Sequence, residues 1–126
     1  MKSISTDNAA APAGHYSQGV VHGGLIFVSG QLAIDPATGE RRLGSVEEQT
    51  EQALKNVAAI VEAAGGRRDT VLKTTIYVSD VELWPRVNET YARFFGDHKP
   101  ARAVVPTRDL HFGFQVEIEA IAAAGE

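Results

Sequence analysis

The chain is predicted to form one α+β domain, in which two helices pack on one face of a mixed β-sheet. Two segments carry apolar residues at helical spacing, and the others alternate or are rich in β-branched residues, in the order β-ββ-α-β-α-β-β. Strand–helix–strand crossovers are right-handed almost without exception, so both helices are expected on the same face. No linker or internal repeat divides residues 1–126, which we therefore treat as a single domain.

The N-terminal part is predicted to be a short strand followed by a β-hairpin. The first strand lies around "KSIST" (2–6), and strands near 17–22 and 25–34 flank a turn at His22-Gly23-Gly24. The four successive apolar residues of "LIFV" (25–28) are typical of a strand buried on both faces. The two helices cover only one face, so we expect a second copy of the chain to cover the other.

The first helix is predicted to begin just after Ser45, because Glu48 follows three residues later and the pair forms a capping box. Gly65 and Gly66 are expected to end it in a left-handed cap. One apolar stripe runs between these signals, and it consists of Val46, Thr50, Ala53, Leu54, Val57, Ile60, Val61 and Ala64.

The second half of the chain is predicted to contain a strand, a second helix and two further strands. "TVLKTTIYVSD" (70–80) alternates and is rich in β-branched residues, which favours a strand. Asp80 is expected to cap the second helix, with Pro85 in its first turn and Gly96 at its end. Its apolar stripe is Trp84, Val87, Tyr91, Phe94 and Phe95, and the last two strands are "ARAVVP" (101–106) and "QVEIEAIAA" (115–123).

Composition excludes several classes of function. The net charge of −4 argues against binding to nucleic acid, which requires a clustered basic surface. No apolar stretch is long enough to span a membrane. There is no cysteine, and the four histidines show no metal-ligand spacing, so no metal site is expected. The N-terminus has no apolar signal sequence, which makes a cytoplasmic protein the default expectation.

Three polar residues interrupt apolar patterns. Arg102 lies in the middle of "ARAVVP", which looks like a short buried strand. Glu117 shares a strand face with Glu119 and Ile121, and Asn88 lies on the apolar stripe of the second helix. A guanidinium among aliphatic side chains is costly unless something compensates its charge.

Two interpretations of these residues stay open at this point. In the first, which the pattern alone favours, Arg102 forms a structural ion pair with Glu117 or Glu119, and Asn88 satisfies a loop carbonyl. In the second, Arg102 receives a ligand carboxylate and a glutamate handles water or a proton. If a glutamate lies beside Arg102, the arginine should lower the pKa of that carboxylate.

Several motifs together resemble one family. They follow one another at the right intervals, and they are "YSQG" (16–19), "VSGQ" (28–31), "DPATGE" (35–40), "ALKNVAAIVEAAG" (53–65), "VNETYARFF" (87–95), "PAR" (100–102) and "EIEAIA" (117–122). The chain resembles the RidA (YjgF/YER057c/UK114) family of reactive-intermediate deaminases. The most specific element is "PAR" followed by a glutamate fifteen residues after the arginine.

The resemblance implies a fold like that of Bacillus-type chorismate mutase and a homotrimer with ligand clefts between neighbouring subunits. It also implies hydrolysis of 2-imino acids and their enamine tautomers to 2-keto acids and ammonia, with no cofactor. Arg102 matches the arginine that binds the substrate carboxylate, and Glu117 matches the glutamate that holds the attacking water. The remaining matches are to cleft residues, namely Tyr16, Ser29, Gly30 (through its backbone) and Asn88.

The sequence departs from the family pattern at a few positions. Val104 stands where many relatives have cysteine, and His15 where proline is frequent. The segment "TRDLHFGFQ" (107–115) replaces the usual Leu-Pro segment and adds Phe112 and Phe114. If this loop borders the cleft, it is expected to shift the preference towards a different imino acid.

Two other functions compete with the deaminase. The first is a non-catalytic protein that binds or senses small carboxylates, such as 2-keto acids, through Arg102. The second is a ribonuclease or translation inhibitor, a function attached to some relatives. The acidic composition and the lack of a basic, aromatic-interleaved patch make this one less well supported.

Overall fold

The structure is a computed structural model that describes residues 1–125. It contains the predicted elements in the predicted order. The helices are α1 (Val46–Ala63) and α2 (Trp84–Phe95), and the strands are β1 (Lys2–Ile4), β2 (Gly19–His22), β3 (Leu25–Gln31), β4 (Val71–Val78), β5 (Ala101–Pro106) and β6 (Val116–Ala123).

All six strands form one mixed sheet in the order β1-β2-β3-β6-β4-β5. Only β4 and β5 pair in parallel, because α2 carries the chain from one end of the sheet back to the other between them. The C-terminal strand β6 lies between β3 and β4. The mixed sheet with two helices is therefore confirmed, and β5 forms one edge of it.

The predicted capping signals are found at both ends of α1 and at the C-terminal end of α2, but not at the start of α2. The hydroxyl of Ser45 accepts a hydrogen bond from the Glu48 amide (3.1 Å), which confirms the predicted N-cap of α1, and Gly65 follows its end with φ of 93°. Asp80 instead caps a short 3₁₀ turn, Val81–Leu83, which leads directly into α2. Gly96, with φ of 63°, ends α2 as predicted.

The hydrophobic core lies between the helices and one face of the sheet. Strand β6 contributes alternate residues to it, whereas β4 changes face at a bulge between Val71 and Lys73. The bulge turns Val71 into the core and leaves Leu72 47% exposed. The simple alternation predicted for β4, which placed Leu72 on the face of Thr74, is therefore wrong at this end.

The opposite face of the sheet, which we call the open face, carries exposed apolar side chains. In β3, Ile26 and Val28 are buried under the helices, while Leu25 and Phe27 are 37% and 43% exposed. Burial of "LIFV" on both faces is thus not achieved by one chain, and its covering by a second copy stays a prediction. Among residues 1–125, neither helix is long and apolar enough to cross a bilayer.

Candidate active site

Glu117 lines a cavity of about 370 Å³, which we call the Glu117 cavity. Four of the six residues predicted for the site line it, together with parts of two loops. The lining residues are Ala13, Gly14, Tyr16, Ser29, Gly30, Leu32, His111, Phe112 and Glu117. We call Tyr16, Ser29, Gly30 and Glu117 the Glu117 half-site.

Glu117 reaches the cavity because β6 alternates. Val116 and Ile118 point into the core, so Glu117 points to the open face, where it lies opposite Tyr77 of β4. Partial burial raises the pKa of its carboxyl; the charge of His111 lowers this pKa and Glu119 raises it. The expected lowering of a glutamate pKa by Arg102 does not occur within one chain, because the arginine is not beside it.

Gly30 makes room for that carboxylate. The pairing of β3 with β6 shifts register between Val28 and Gln31, and Gly30 lies within this irregularity. A Cβ atom at Gly30 would lie 2.1 Å from Oε2 of Glu117. A glycine is therefore needed here for the close approach of a side chain rather than for a special backbone angle.

Ser29 and Tyr16 stabilise the loop that closes one side of the cavity. The Ser29 hydroxyl donates to the carbonyl of Ser17 (2.6 Å), and the Tyr16 hydroxyl accepts from the amide of Ala13 (3.2 Å). The Ser29 hydroxyl is thus engaged in a structural hydrogen bond. This agrees with a role in shaping the cavity rather than as a nucleophile.

Arg102 lies on edge strand β5, which is mostly exposed rather than buried as "ARAVVP" suggested. Its guanidinium donates to Oδ1 of Asn88 (2.9 Å) and lies over the rings of Trp84 and Tyr91, 4.5 and 4.9 Å from their centroids. The Tyr91 hydroxyl in turn shares a buried hydrogen bond with Thr74 (2.7 Å). These contacts hold the guanidinium from one side.

The structural ion pair of Arg102 with Glu117 or Glu119 does not form. Within residues 1–125, Arg102 makes no ion pair. The Asn88 side chain accepts a hydrogen bond from the guanidinium, whereas it was predicted to satisfy a loop carbonyl. A second cavity, of about 350 Å³, lies beside the Arg102 guanidinium. Arg102 and Asn88 both line this cavity, and we call these two residues the Arg102 half-site.

The two half-sites lie on opposite faces of the sheet. Arg102 pairs in register with Thr74, whose side chain is buried on the helix side. Glu117 pairs with Tyr77, three residues further along β4, and faces the open side. Because paired residues of neighbouring strands share a face, one chain cannot bring Arg102 and Glu117 to a common ligand.

The structure adds residues that the sequence did not place in the site. The loop at 107–115 borders the Glu117 cavity through His111 and Phe112, and its effect on substrate preference stays a prediction. Trp84 supports Arg102, and its position in the α2 stripe gave no signal of that contact. No group of three or more potential metal ligands comes together within the described part of the chain.

The fold and the half-sites define a small α+β protein with an exposed arginine on one side of its sheet and a carboxylate-lined cavity on the other. A model of the endoribonuclease L-PSP family matches residues 6–124. The chain therefore belongs to this family, which is the RidA/YjgF family that the sequence motifs resemble.

Relatives and solved structures cover nearly the whole chain. A RutC family protein of Pyrococcus horikoshii is 45% identical over 94% of each chain, and the 2-iminobutanoate/2-iminopropanoate deaminase of Escherichia coli is 45% identical over 96% of each. The crystal structure of E. coli TdcF with bound serine is similar in fold, with a TM-score of 0.93 and 38% identity over 98% of each chain.

Proposed function

We propose that this chain hydrolyses 2-imino acids, and their enamine tautomers, to 2-keto acids and ammonia. The observation that carries the proposal is the exposed guanidinium of Arg102, which is oriented by Asn88 and two rings. A planar cation held in this way fits a ligand carboxylate through two parallel hydrogen bonds. The deaminase relatives and the serine bound to TdcF support a small ligand that carries nitrogen next to a carboxylate.

The proposal requires more than one copy of the chain. The Arg102 half-site of one copy would meet the Glu117 half-site of the next, since the two lie on opposite faces of each sheet. Contacts between two different surfaces form a ring when the rotation from copy to copy closes, and the family resemblance points to a ring of three. The exposed Leu25, Phe27 and Leu72 support this arrangement, because a second chain would remove them from water.

In the shared site, Arg102 binds the carboxylate and thereby fixes the position of the adjacent C2 atom. Glu117 accepts a proton from a water molecule as the water oxygen attacks C2 of the protonated imine, and the C=N π electrons move to nitrogen. The resulting carbinolamine takes the proton from Glu117 on its nitrogen. The C–N bond then breaks, the hydroxyl proton leaves with the nitrogen as ammonium, and C2 becomes the ketone carbon of the 2-keto acid.

The chemistry suits so small a site. A protonated imine is already electrophilic, and a well-placed general base is worth a factor of about 10² to 10⁴. Burial raises the pKa of Glu117, which makes it a stronger base than an exposed glutamate, and Arg102 of the next copy would favour its ionised form.

The family description also names an endoribonuclease, but the cavity favours the imine. The acidic group in its lining is Glu117, and the chain has a net charge of −4. Both would repel a phosphodiester, whose binding depends on clustered positive charge.

The test is subunit complementation between two inactive variants. Arg102→Ala and Glu117→Gln are each expected to abolish 2-keto acid release from freshly generated 2-iminopropanoate, while size-exclusion chromatography shows unchanged assembly. Denatured and refolded together, the two variants would regain about a quarter of the wild-type rate, because one in four randomly formed contacts joins an intact Arg102 to an intact Glu117.

Recovery in the mixture would support both the roles and the shared site. No recovery, with mixed oligomers present, would mean that the site does not form between copies. Tight binding of a 2-keto acid by the wild type without any turnover would instead favour the binding or sensing function.

A further inference from the structure

The loop between β5 and β6 places a strained aromatic residue on the wall of the Glu117 cavity. Phe112 has φ of 62° and ψ of 15°, and it is the one non-glycine residue with positive φ among residues 1–125. This left-handed conformation is unfavourable for a bulky side chain. It persists only where surrounding contacts determine it, and such positions cluster at ligand sites.

Contacts from three directions hold this part of the loop. The Arg41 guanidinium stacks on the Phe112 ring, 3.7 Å from its centroid, and the ring meets buried Phe114 edge to face. The loop is also tied to α1, since the side-chain oxygen of buried Gln49 accepts from the Gln115 amide (2.8 Å). The Phe112 ring is therefore a fixed part of the cavity wall.

The place of the ring in the cavity indicates which part of a substrate it meets. In the proposed reaction, Arg102 of the next copy takes the carboxylate, and Glu117 holds the water at C2. The side chain beyond C2 is then left to contact the remaining wall. Two polar side chains remain in this wall, His111 and Ser29, and the Ser29 hydroxyl already donates to the Ser17 carbonyl. The other side chains are apolar or aromatic, and they are Ala13, Tyr16, Leu32 and Phe112.

We propose that Phe112 is a specificity-determining residue that packs against the substrate side chain. It would favour 2-imino acids with branched or aromatic apolar side chains over 2-iminopropanoate, whose single methyl group leaves the ring without a partner. This inference rests on the proposed function and adds the class of substrate to it. One additional methylene in an apolar pocket changes kcat/KM by about tenfold or more, so several carbons suffice for a clear preference.

The experiment compares kcat/KM for the imino acids derived from leucine and from alanine, each generated in the assay by an amino acid oxidase. Wild type is expected to favour the leucine-derived imine by at least about tenfold. Phe112→Gly suits the positive φ and removes the ring, so the preference should fall about tenfold. Phe112→Leu keeps apolar volume and should give an intermediate ratio.

Phe94→Leu is the matched control. Arg68 stacks on the Phe94 ring at 3.8 Å, as Arg41 does on Phe112, but Phe94 lies on α2 outside the Glu117 cavity. This variant loses an equivalent cation–π contact and should keep the wild-type ratio. A ratio that Phe94→Leu lowers as much as Phe112→Gly would overturn the proposal.

The other outcomes separate this inference from the proposed function. If wild type hydrolyses both imines but prefers the smaller, or if Phe112→Gly leaves the ratio unchanged, Phe112 does not select the substrate and the deaminase proposal stands. If wild type hydrolyses neither, calorimetry with 4-methyl-2-oxopentanoate and pyruvate decides. If the larger acid binds more tightly to wild type and Phe112→Gly removes this difference, the role of Phe112 in contacting the ligand side chain is supported. Equal or undetectable binding of the two acids would refute that role.

Discussion

Replacing Gly30 by alanine is expected to disable the site while leaving the fold intact. The added Cβ atom would lie 2.1 Å from Oε2 of Glu117, and ordinary contact begins at 3.4 Å. The oxygen must therefore retreat by about 1.3 Å (3.4 − 2.1 Å). Gly30 does not have a positive φ, so alanine adds no backbone strain there.

The size of the effect follows from this displacement. A shift of about 1 Å in a reacting group costs roughly 10²-fold in rate, which also lies within the range for losing a general base. Gly30→Ala should thus lower kcat for 2-imino acid hydrolysis by about 10²-fold. KM should change little, because Arg102 is not touched. Initial rates of 2-keto acid formation measure the loss, and circular dichroism confirms the fold.

Gly44→Ala is a suitable control for this substitution. Its added Cβ atom would lie 2.4 Å from Oε2 of Glu48, an exposed glutamate near the start of α1 and outside the cavity. The same kind of steric conflict should leave turnover unchanged there. Undiminished hydrolysis by folded Gly30→Ala would refute the reasoning about Glu117, as would an equal loss in Gly44→Ala.

Three further predictions concern charges and their partners. In the dissociated chain, where no Arg102 of a second copy lies beside it, Glu117→Gln should raise the thermal stability at pH 7, because burial disfavours the ionised form. The gain should disappear once acid has protonated Glu117, and a difference from wild type that is the same at both pH values would contradict this. Glu47→Gln should lower stability at pH 7, since Arg86 lowers the pKa of Glu47 to about 2, and the difference from wild type should shrink as pH falls from about 4.5 towards 2 in acid titrations. Asn88→Ala should raise KM for the imino acid several-fold with a smaller change in kcat, because Asn88 orients the Arg102 guanidinium; an unchanged KM would mean that the two rings suffice.

Local patterns in the sequence predicted most of the elements. Ser45 and Glu48 predicted the start of α1, and the alternation in β6 correctly placed Glu117 on the face away from Val116 and Ile118. These signals depend on neighbours a few residues apart, so they can be read without knowledge of the fold. The capping box and the alternating strand are both of this kind.

Features that depend on distant pairing were not predictable in the same way. Nothing local indicates that β6 inserts between β3 and β4, or that β5 becomes an edge strand with Arg102 exposed. The bulge that exposes Leu72 likewise arises from the register with β6. The Arg102 half-site follows from the meeting of α2 with β5, which brings together residues such as Asn88 and Arg102, fourteen positions apart in the chain.

The placement of Arg102 and Glu117 on opposite sides of the sheet has a practical consequence for how loss-of-function variants are understood. A single folded chain contains every side chain that the proposed reaction needs, but no one cavity of that chain holds them together. Enzymatic rate would then report how much protein has associated rather than how much has folded. A polar replacement at Phe27, remote from either reacting group in sequence, would mimic an active-site lesion simply by keeping copies apart.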